Sequence, residues 1–539
     1  MSRADTARRD RPARTRGTGR FAASAVIGIL AVGAALAAAE VPAYFTGQAT
    51  APVDAVGSAV ISLTPASVKE FMIAHVGTND KPLLIIGVLV VLVLLAIAAG
   101  RLALRSLRGG ITLVVIIGVV GAIAAVTRPG SGALSLLPSI VGTVAAISVM
   151  DWLVGLYQRD SSAQPVPGGA PAQAGPGQTG PGQTGQSRRR FLIASAGTAA
   201  SAALVGLGAG KLASEKYAVT TARSAVRIPR PAQLAATPAG LHPDVPGLSP
   251  FFTPNSSFYR VDTALALPQV DPSAWTLRIT GMVDHPVEIS YDQLLRRTLE
   301  EHDMTLSCVS NPVGGPYVGN ARWVGTLLAP LLREAGVRSG ANQLLATSAD
   351  GMTVGTPLES VLDGRAALLA VAMNGQPLPV QHGFPCRVLV PGFYGYSSAC
   401  KWVTELMVTT YQARAAYWVQ QGYAQIGTMK IASRIDVPGS SARVAAGTVK
   451  VAGIAWATHR GIEAVEVRVD NGAWQQASIA AQDTPDTWRQ WTYDWQAQPG
   501  NHTLQVRAVD DSGLVQTGAQ EQPFPSGATG YHTISVTVA

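Results

Sequence analysis

The sequence predicts a multi-domain chain: an N-terminal all-α region of transmembrane helices, then an α+β domain, then an all-β sandwich. Three observations carry that prediction. Of the 539 residues 47% are hydrophobic and only 14% charged, whereas soluble domains carry nearer a quarter charged residues, so part of the chain belongs in lipid. The long apolar runs all lie before Gly210. From Phe251 onward they give way to short segments of period 2 or 3.6 bounded by Gly, Pro and Asn turns.

Within residues 1–160, four apolar segments stand out: Phe21–Ala39, Pro82–Gly100, Gly110–Val126 and Leu134–Tyr157. At about 1.5 Å per residue each crosses most or all of a roughly 30 Å hydrocarbon layer. The net charge of +8 is concentrated at their ends. Residues 1–20 hold seven Arg against two Asp, Arg101, Arg105 and Arg108 follow the second segment, and Arg188–Arg190 precede a fifth. These charges read as topology determinants, not as a phosphate-binding face, so nucleic acid is not an expected partner. With the Arg-rich ends inside, the large C-terminal part faces outward.

Residues 187–212 carry a second message. Ser187-Arg188-Arg189-Arg190-Phe191-Leu192 opens the fifth apolar stretch. An ordinary spanning helix with positive flanks accounts for an Arg triplet, but the S-R-R-x-F-L order favours a twin-arginine export signal. That route moves domains already folded around a cofactor out of the bacterial cytoplasm. No clear cleavage site follows either Phe21–Ala39 or the fifth segment, so both are expected to stay as anchors. The expected location is thus the bacterial cell membrane, multi-pass, with the C-terminal part extracytoplasmic.

Two connecting stretches are poor in core residues. Residues 161–186 are Pro, Gly, Gln and Ala with a duplicated PGQTG, a flexible linker. Residues 213–250, rich in Ala and Pro from Thr220 on, read as an extended linker that lifts the C-terminal part off the membrane. Between the first two spans, Thr64-Pro65 reads as a helix start, and Val68, Phe71, Met72 and His75 share one face of an interfacial helix. His75 is the only histidine before residue 242 and lies outside the spans, which argues against a haem bundle held by paired histidines.

The α+β domain is expected over 251–416. Trp275–Thr280 alternates as a strand, Ser290-x-x-Gln293 is a capping box opening a short helix, and Met304–Cys308 reads as a buried strand. Leu327, Leu328, Leu331, Leu332 and Ala335 share one helical face despite Pro330. Ala367–Met373 reads as a strand closed by the Asn374-Gly375 turn, with Cys386–Val390 and Lys401–Thr409 as two more. Over 417–539 helical periodicity disappears. Val465–Asp470, Trp488–Trp495, His502–Asp510 and His532–Val538 alternate between Asn-Gly, Pro-Gly and Asp-Ser-Gly turns, the pattern of an immunoglobulin-like sandwich.

Three cysteines occur: Cys308, Cys386 and Cys400. An odd count in an exported domain leaves at least one thiol outside any disulfide. No C-x-x-C or H-x-x-x-H spacing is present, which disfavours structural zinc. By itself Cys308 fits a buried core thiol as well as a ligand.

Several separate blocks, in order, resemble the sulfite oxidase-type molybdenum oxidoreductases and their C-terminal immunoglobulin-like dimerisation domain. They are FFTPNSSFYR (251–260), TLSCVSN (305–311), NARW (320–323), MNGQPLPVQHGFPCRVLVPGFYG (373–395), KWV (401–403), YWVQQGYAQ (417–425) and SRIDVP (433–438). The resemblance implies a Mo-molybdopterin cofactor with Cys308 as its thiolate metal ligand, a soft donor suited to a redox metal. It places Asn255, Phe258, Tyr259 and Arg260 in one cofactor-binding group and His382, Arg387 and Lys401 in another, with Arg and Lys suited to phosphate. Cys386 and Cys400 are expected as packing residues. Surface pairing for Arg387 and turn packing for His382 are the alternatives.

The resemblance departs where sulfite would bind. Pro312 and Val313 follow Asn311 where an Arg is expected, Gln420 or Gln421 replaces a basic residue, and Val371 replaces a Tyr. A dianion without paired cations meets a desolvation cost of several kcal/mol per charge, so specificity for sulfite is not expected. The family implies two-electron oxo transfer on a small molecule. Tyr317 and Tyr394 are expected at the reacting centre, and these two, Trp323, Tyr396 and Trp418 either line a partly aromatic pocket or pack in the core. An external electron-transfer partner is required, because no haem or iron–sulfur motif is evident, and a homodimer through the C-terminal domain is possible. The competing class is a non-catalytic membrane scaffold or receptor that binds protein through the sandwich.

Overall fold

The computed structural model describes the chain apart from residues 1–13, 47–49, 66–67, 70, 73–75, 77–79, 129–130, 163–182 and 218. His75 and most of the 161–186 linker therefore lie outside the described residues. The chain forms two compact units, one made of 1–63 and 81–218, the other of 64–80 and 219–539.

The first unit is helical: α1 Arg14–Thr46, α2 Pro52–Leu63, α3 Asp80–Arg105, α4 Leu107–Val126, α5 Leu137–Ser162 and α6 Gln183–Tyr217. Five stretches are long and apolar enough to cross a membrane: Arg20–Thr46, Lys81–Arg105, Leu107–Val126, Ala133–Arg159 and Arg189–Gly208. Each contains or nearly coincides with an expected segment, extended at the ends because propensity carries a helix past its apolar core. Small residues let the helices approach. A methyl group at Gly28 of α1 would overlap the Ala96 carbonyl of α3, and one at Gly100 would overlap the Ser24 carbonyl of α1. The Ser187–Leu192 motif lies within α6.

The second unit begins with a mixed region. One five-stranded sheet runs β2-β1-β10-β5-β6, and another runs β3-β4-β7-β8 with β9 paired to β7. The strands are β1 Thr276–Gly281, β2 Val287–Ser290, β3 Glu300–Ser307, β4 Val318–Leu327, β5 Gln343–Ser348, β6 Thr353–Pro357, β7 Leu368–Met373, β8 Gln376–Pro377, β9 Arg387–Leu389 and β10 Val403–Thr409. The capping box forms with both reciprocal hydrogen bonds and opens the helix Tyr291–Leu295. The helix Leu328–Ala335 buries Leu328, Leu331, Leu332 and Ala335 against the first sheet's core. Pro330 is tolerated because it stands in the first turn, where no intrahelical donor is required. Asn374 and Gly375 take positive φ values of 50° and 74°, as the tight turn between β7 and β8 demands.

The C-terminal part is all β, with sheets β11-β13-β17-β16 and β12-β19-β18-β14-β15. Its strands are β11 Ala432–Val437, β12 Ala442–Val444, β13 Gly447–Trp456, β14 Ala464–Val469, β15 Gln475–Gln476, β16 Ser478–Ile479, β17 Arg489–Ala497, β18 Gly500–Val509 and β19 His532–Val538. Both sheets feed one core, with Val451 and Trp491 from the first and Val467, Leu504 and Val536 from the second. This part is locked to the mixed region. The Trp488 backbone N–H donates to Thr305 Oγ1 at 2.8 Å and its indole N–H to the Phe251 carbonyl at 3.0 Å.

Of the expected extended linker 213–250, residues 213–217 end α6 and Thr220–Ala225 form a further short helix, while residues 226–250 contain no helix or long strand. They nevertheless lie along the unit instead of standing off it. Val226 and Ile228 pack on the first core, Leu241 and Leu248 are buried, and the Ala232 N–H donates to the Leu299 carbonyl at 2.8 Å.

Candidate active site

Strand β3 delivers Cys308. Its last five residues, Asp303 to Ser307, are buried, and the chain then turns through 308–317 before returning as β4. The turn is tied at its base. Cys308 N–H donates to the Tyr317 carbonyl at 2.9 Å, Asn311 N–H to the Cys308 carbonyl at 3.1 Å, and Tyr317 N–H to Asn311 Oδ1 at 2.8 Å. Cys308 is 9% exposed, and none of the three cysteines is in a disulfide. Its sulfur is therefore set by the rigid end of a paired strand instead of a mobile loop.

Two tyrosines have hydroxyls held above their ordinary range, chiefly by burial. Burial, then the neighbouring Cys308, pushes the Tyr259 hydroxyl above its ordinary range, with Arg387 opposing. Tyr394 is pushed up to about 12, chiefly by burial, and its hydroxyl accepts from the Lys430 N–H at 3.3 Å. Both phenols stay protonated at neutral pH. Ser307, Asn311 and Tyr394 also line a cavity shared with Ser433 and Trp456 of the C-terminal sheets and with Gln516 of the loop between β18 and β19.

The segment 251–260 is held by asparagines. Asn320 Nδ2 donates to the Phe251 carbonyl at 3.0 Å, and Asn374 Nδ2 to the Thr253 carbonyl at 2.9 Å and to Asn255 Oδ1 at 2.8 Å. Asn255 Nδ2 in turn reaches the Met373 carbonyl at 3.3 Å. Phe258 stacks on Tyr259 at 5.3 Å and meets the His382 ring edge-on at 5.5 Å. His382 donates from Nε2 to the Asn255 carbonyl at 3.2 Å, so the two expected groups meet at this contact.

A buried cation cluster follows. Arg387 is 4% exposed, lies over the Trp323 ring at 5.1 Å and donates from one terminal nitrogen to the His382 carbonyl at 3.1 Å. Burial lowers its pKa to about 10. Lys401 Nζ bonds Asp262 Oδ2 at 3.0 Å and the Gln381 carbonyl at 3.2 Å, and burial lowers it to about 8. Arg260 Nε shares the same Asp262 oxygen at 2.9 Å. Burial, then the Arg387 and Lys401 charges, holds His382 near 3, so it remains neutral.

The structure thus brings together Cys308, Tyr259 and Tyr394, and beside them Phe258, Arg260, His382, Arg387 and Lys401, with Asn255 as a brace. Tyr317 is half-buried and contributes its backbone to the Cys308 turn. Trp323 is fully buried and supports Arg387. Arg387 is not a surface ion pair, while His382 does end the short turn Val380–His382. Cys386 and Cys400 pack in the first core. Sequence reasoning missed Asp262, which links Arg260 to Lys401. Its only sequence signal is its position two residues after Arg260.

These residues fit a phosphate-bearing pterin group. Arg260 and Lys401 share a single carboxylate, Asp262, while the buried Arg387 has no ion pair among the described residues and its Nε has no hydrogen-bond partner. Buried donors left unpaired cost about 1–3 kcal/mol, a cost that an anionic ligand relieves. Among the described residues no three His, Cys, Asp or Glu side chains are grouped to hold a metal ion. A metal beside Cys308 would thus draw further ligands from the cofactor.

Comparison with known proteins agrees with this geometry. The family described as "Oxidoreductase molybdopterin binding domain" matches residues 264–418. The chain is 30% identical to the mitochondrial sulfite oxidase of Mus musculus over 315 residues, covering 49% of this chain and 57% of that protein. It is 31% identical to the uncharacterized oxidoreductase YuiH of Bacillus subtilis over 157 residues, 29% of this chain and 76% of that protein. A solved structure, the sulfane dehydrogenase SoxCD from Paracoccus pantotrophus, aligns with 25% identity and a TM-score of 0.46 over 53% of this chain and 80% of that one. The chain spans 57% of the length of the mouse sulfite oxidase it matches. The family match and the sequence relatives show that the chain belongs to the sulfite oxidase-type, molybdopterin-binding oxidoreductases.

Proposed function

We propose that this protein is a membrane-anchored, extracytoplasmic oxidoreductase that performs two-electron oxo transfer on a small molecule, with Cys308 as the protein's metal ligand. The carrying observation is the placement of Cys308 on a tied turn at the end of β3, together with the buried Arg387 on the His382 carbonyl and the buried Lys401 on Asp262. When bound, the molybdenum–pterin group supplies oxygen-atom transfer linked to two-electron redox change.

The chain's own residues have separate tasks in this reading. The Cys308 sulfur holds the metal as a thiolate. Arg387, Lys401 and Arg260 bind the cofactor phosphate, and neutral His382 meets Phe258 edge-on while it braces Asn255 through Nε2. The Tyr394 hydroxyl keeps its proton at neutral pH and presents it as a donor at the cavity. Ser307 and Asn311 orient the thiol-bearing turn, and Tyr394 and Trp456, the aromatic residues that line the cavity, exclude water. Pro312 and Val313 also line the cavity, so the turn after Cys308 offers a dianion no cation. This supports a substrate other than sulfite as the specific one.

Five helices of spanning length and the Arg placement support anchoring with the catalytic part outside, exported through the Ser187–Leu192 signal. The two-sheet C-terminal part is read as an immunoglobulin-like module, supported by its shared core, with a homodimer through it as the working assembly. Electrons pass singly to an external partner.

The test is metal analysis of the purified full chain with and without Cys308→Ser. Near-stoichiometric molybdenum in the wild type, and loss of turnover in a folded variant, support the enzyme. A folded, metal-free wild type supports the scaffold reading.

A further inference from the structure

The segment 64–80 separates two apolar helices in sequence, yet it belongs to the compact unit of the oxidoreductase. Its helical turn holds Val68, Lys69, Phe71 and Met72. Val68 and Phe71 are 47% and 58% exposed, whereas Lys69 is buried at 9%. The expected apolar face is thus turned outward and the cation inward.

Lys69 sits on the helix Tyr417–Gln420 and the residue after it. Its Nζ donates to Gln421 Oε1 at 3.0 Å and to the Tyr417 hydroxyl at 3.5 Å. It lies 5.6 Å and 5.5 Å from the Tyr417 and Trp418 ring centroids. Two aromatic faces and an amide oxygen partly replace water around an ammonium. Full compensation of a buried charge takes an anion, and among the described residues Lys69 has no carboxylate within ion-pair distance. Burial alone accounts for its lowered pKa. An ammonium carries three donors, and these contacts use one well and a second weakly.

This position connects with the reacting centre through aromatic neighbours. Trp418 meets Tyr423 at 5.2 Å, and Tyr423 meets Tyr396 at 5.6 Å. Tyr396 follows Gly395, whose missing side chain would lie 3.9 Å from the Ser307 carbonyl, next to Cys308. Tyr394, two residues earlier, shares one buried cluster with Tyr423 and with Val309, the residue after Cys308, and Trp418 packs against that cluster.

We propose that Lys69 is a specificity-determining residue of the oxidoreductase, brought by the segment 64–80 onto Tyr417 and Trp418, where it selects a substrate bearing a single negative charge over a neutral one. One ammonium matches a monoanionic oxo acid. It does not by itself balance a dianion, which agrees with the cation-poor turn after Cys308. The inference rests on the oxidoreductase reading of the site and deepens it.

The experiment uses the purified full chain, with molybdenum content measured on every preparation, and two inert probes of similar shape: methanesulfonate, an anion, and dimethyl sulfone, which is neutral. Calorimetric titration of Lys69→Gln is expected to weaken methanesulfonate binding at least tenfold, to leave dimethyl sulfone unchanged, and to be reversed to within threefold by Lys69→Arg. Melting temperatures within two degrees of wild type exclude a folding defect. Absent methanesulfonate binding in the wild type, equal loss of both probes, or Lys69→Gln binding the anion as the wild type does overturns the proposal. A molybdenum-free wild type that shows the same Lys69-dependent anion preference sinks the enzymatic reading and leaves the anion site standing.

Discussion

Lys401 shows how far a single side chain can be pushed by where it is placed. Burial lowers its pKa to about 8 from an ordinary 10.5, despite Asp262 at 3.0 Å. Between those two values the unfolded chain holds a proton that the folded one has released. Stability therefore rises with pH across that window, because the unfolded state binds more protons there. For cofactor-free protein, urea midpoints are expected to climb from pH 8 to pH 10, and the climb should be absent in Lys401→Met. Cofactor retention is expected to run the other way, weakening above pH 8 as the ammonium is lost. Cys308, Arg387 and Lys401 were legible in the sequence because each falls in a short block with its neighbours. Asp262 and Lys69 were not, since Asp262 joins its neighbour Arg260 to a lysine 139 residues away and Lys69 meets Gln421 across 352 residues. Nothing local marks such a pairing.

At the level of elements, local signals succeeded where one periodicity dominated. The helix Leu328–Ala335 was legible from its leucine spacing, and it buries Leu331 and Leu332 at 1% and 0% exposure. Leu332→Ala is expected to cost about 2–5 kcal/mol, read as a lowered denaturation midpoint with the cofactor site chemically untouched. The hairpin at Asn374-Gly375 was legible too, but its second role was not. The same Asn374 that takes positive φ also holds Thr253 and Asn255 through its amide. Composition misled over 226–250. Ala and Pro suggested a spacer, while the scattered Val226, Ile228, Leu241 and Leu248 were enough to seat it on the core. A segment with no period of its own takes its place from the surface it lies on.

Across the whole molecule, the apolar helices and the sheet-rich C-terminal half were legible from hydropathy and alternation. The closeness of the mixed region and the C-terminal sheets was not, because it rests on contacts such as Trp488 with Thr305 and Phe251 that join distant strands. The expected export signal belongs to this scale. Replacing Arg188 and Arg189 with Lys is expected to leave the C-terminal part protected from added protease in intact spheroplasts, whereas wild type is digested. Equal digestion of both would refute the twin-arginine reading.

The membership of residues 64–80 in the second unit has a practical consequence for anyone preparing it. A soluble fragment started at Val219 would omit Lys69 and bare the Tyr417 and Trp418 rings to solvent. Such a truncation would be a different reagent from the intact protein, and kinetic constants measured on it would describe a chain stripped of its Lys69 contacts.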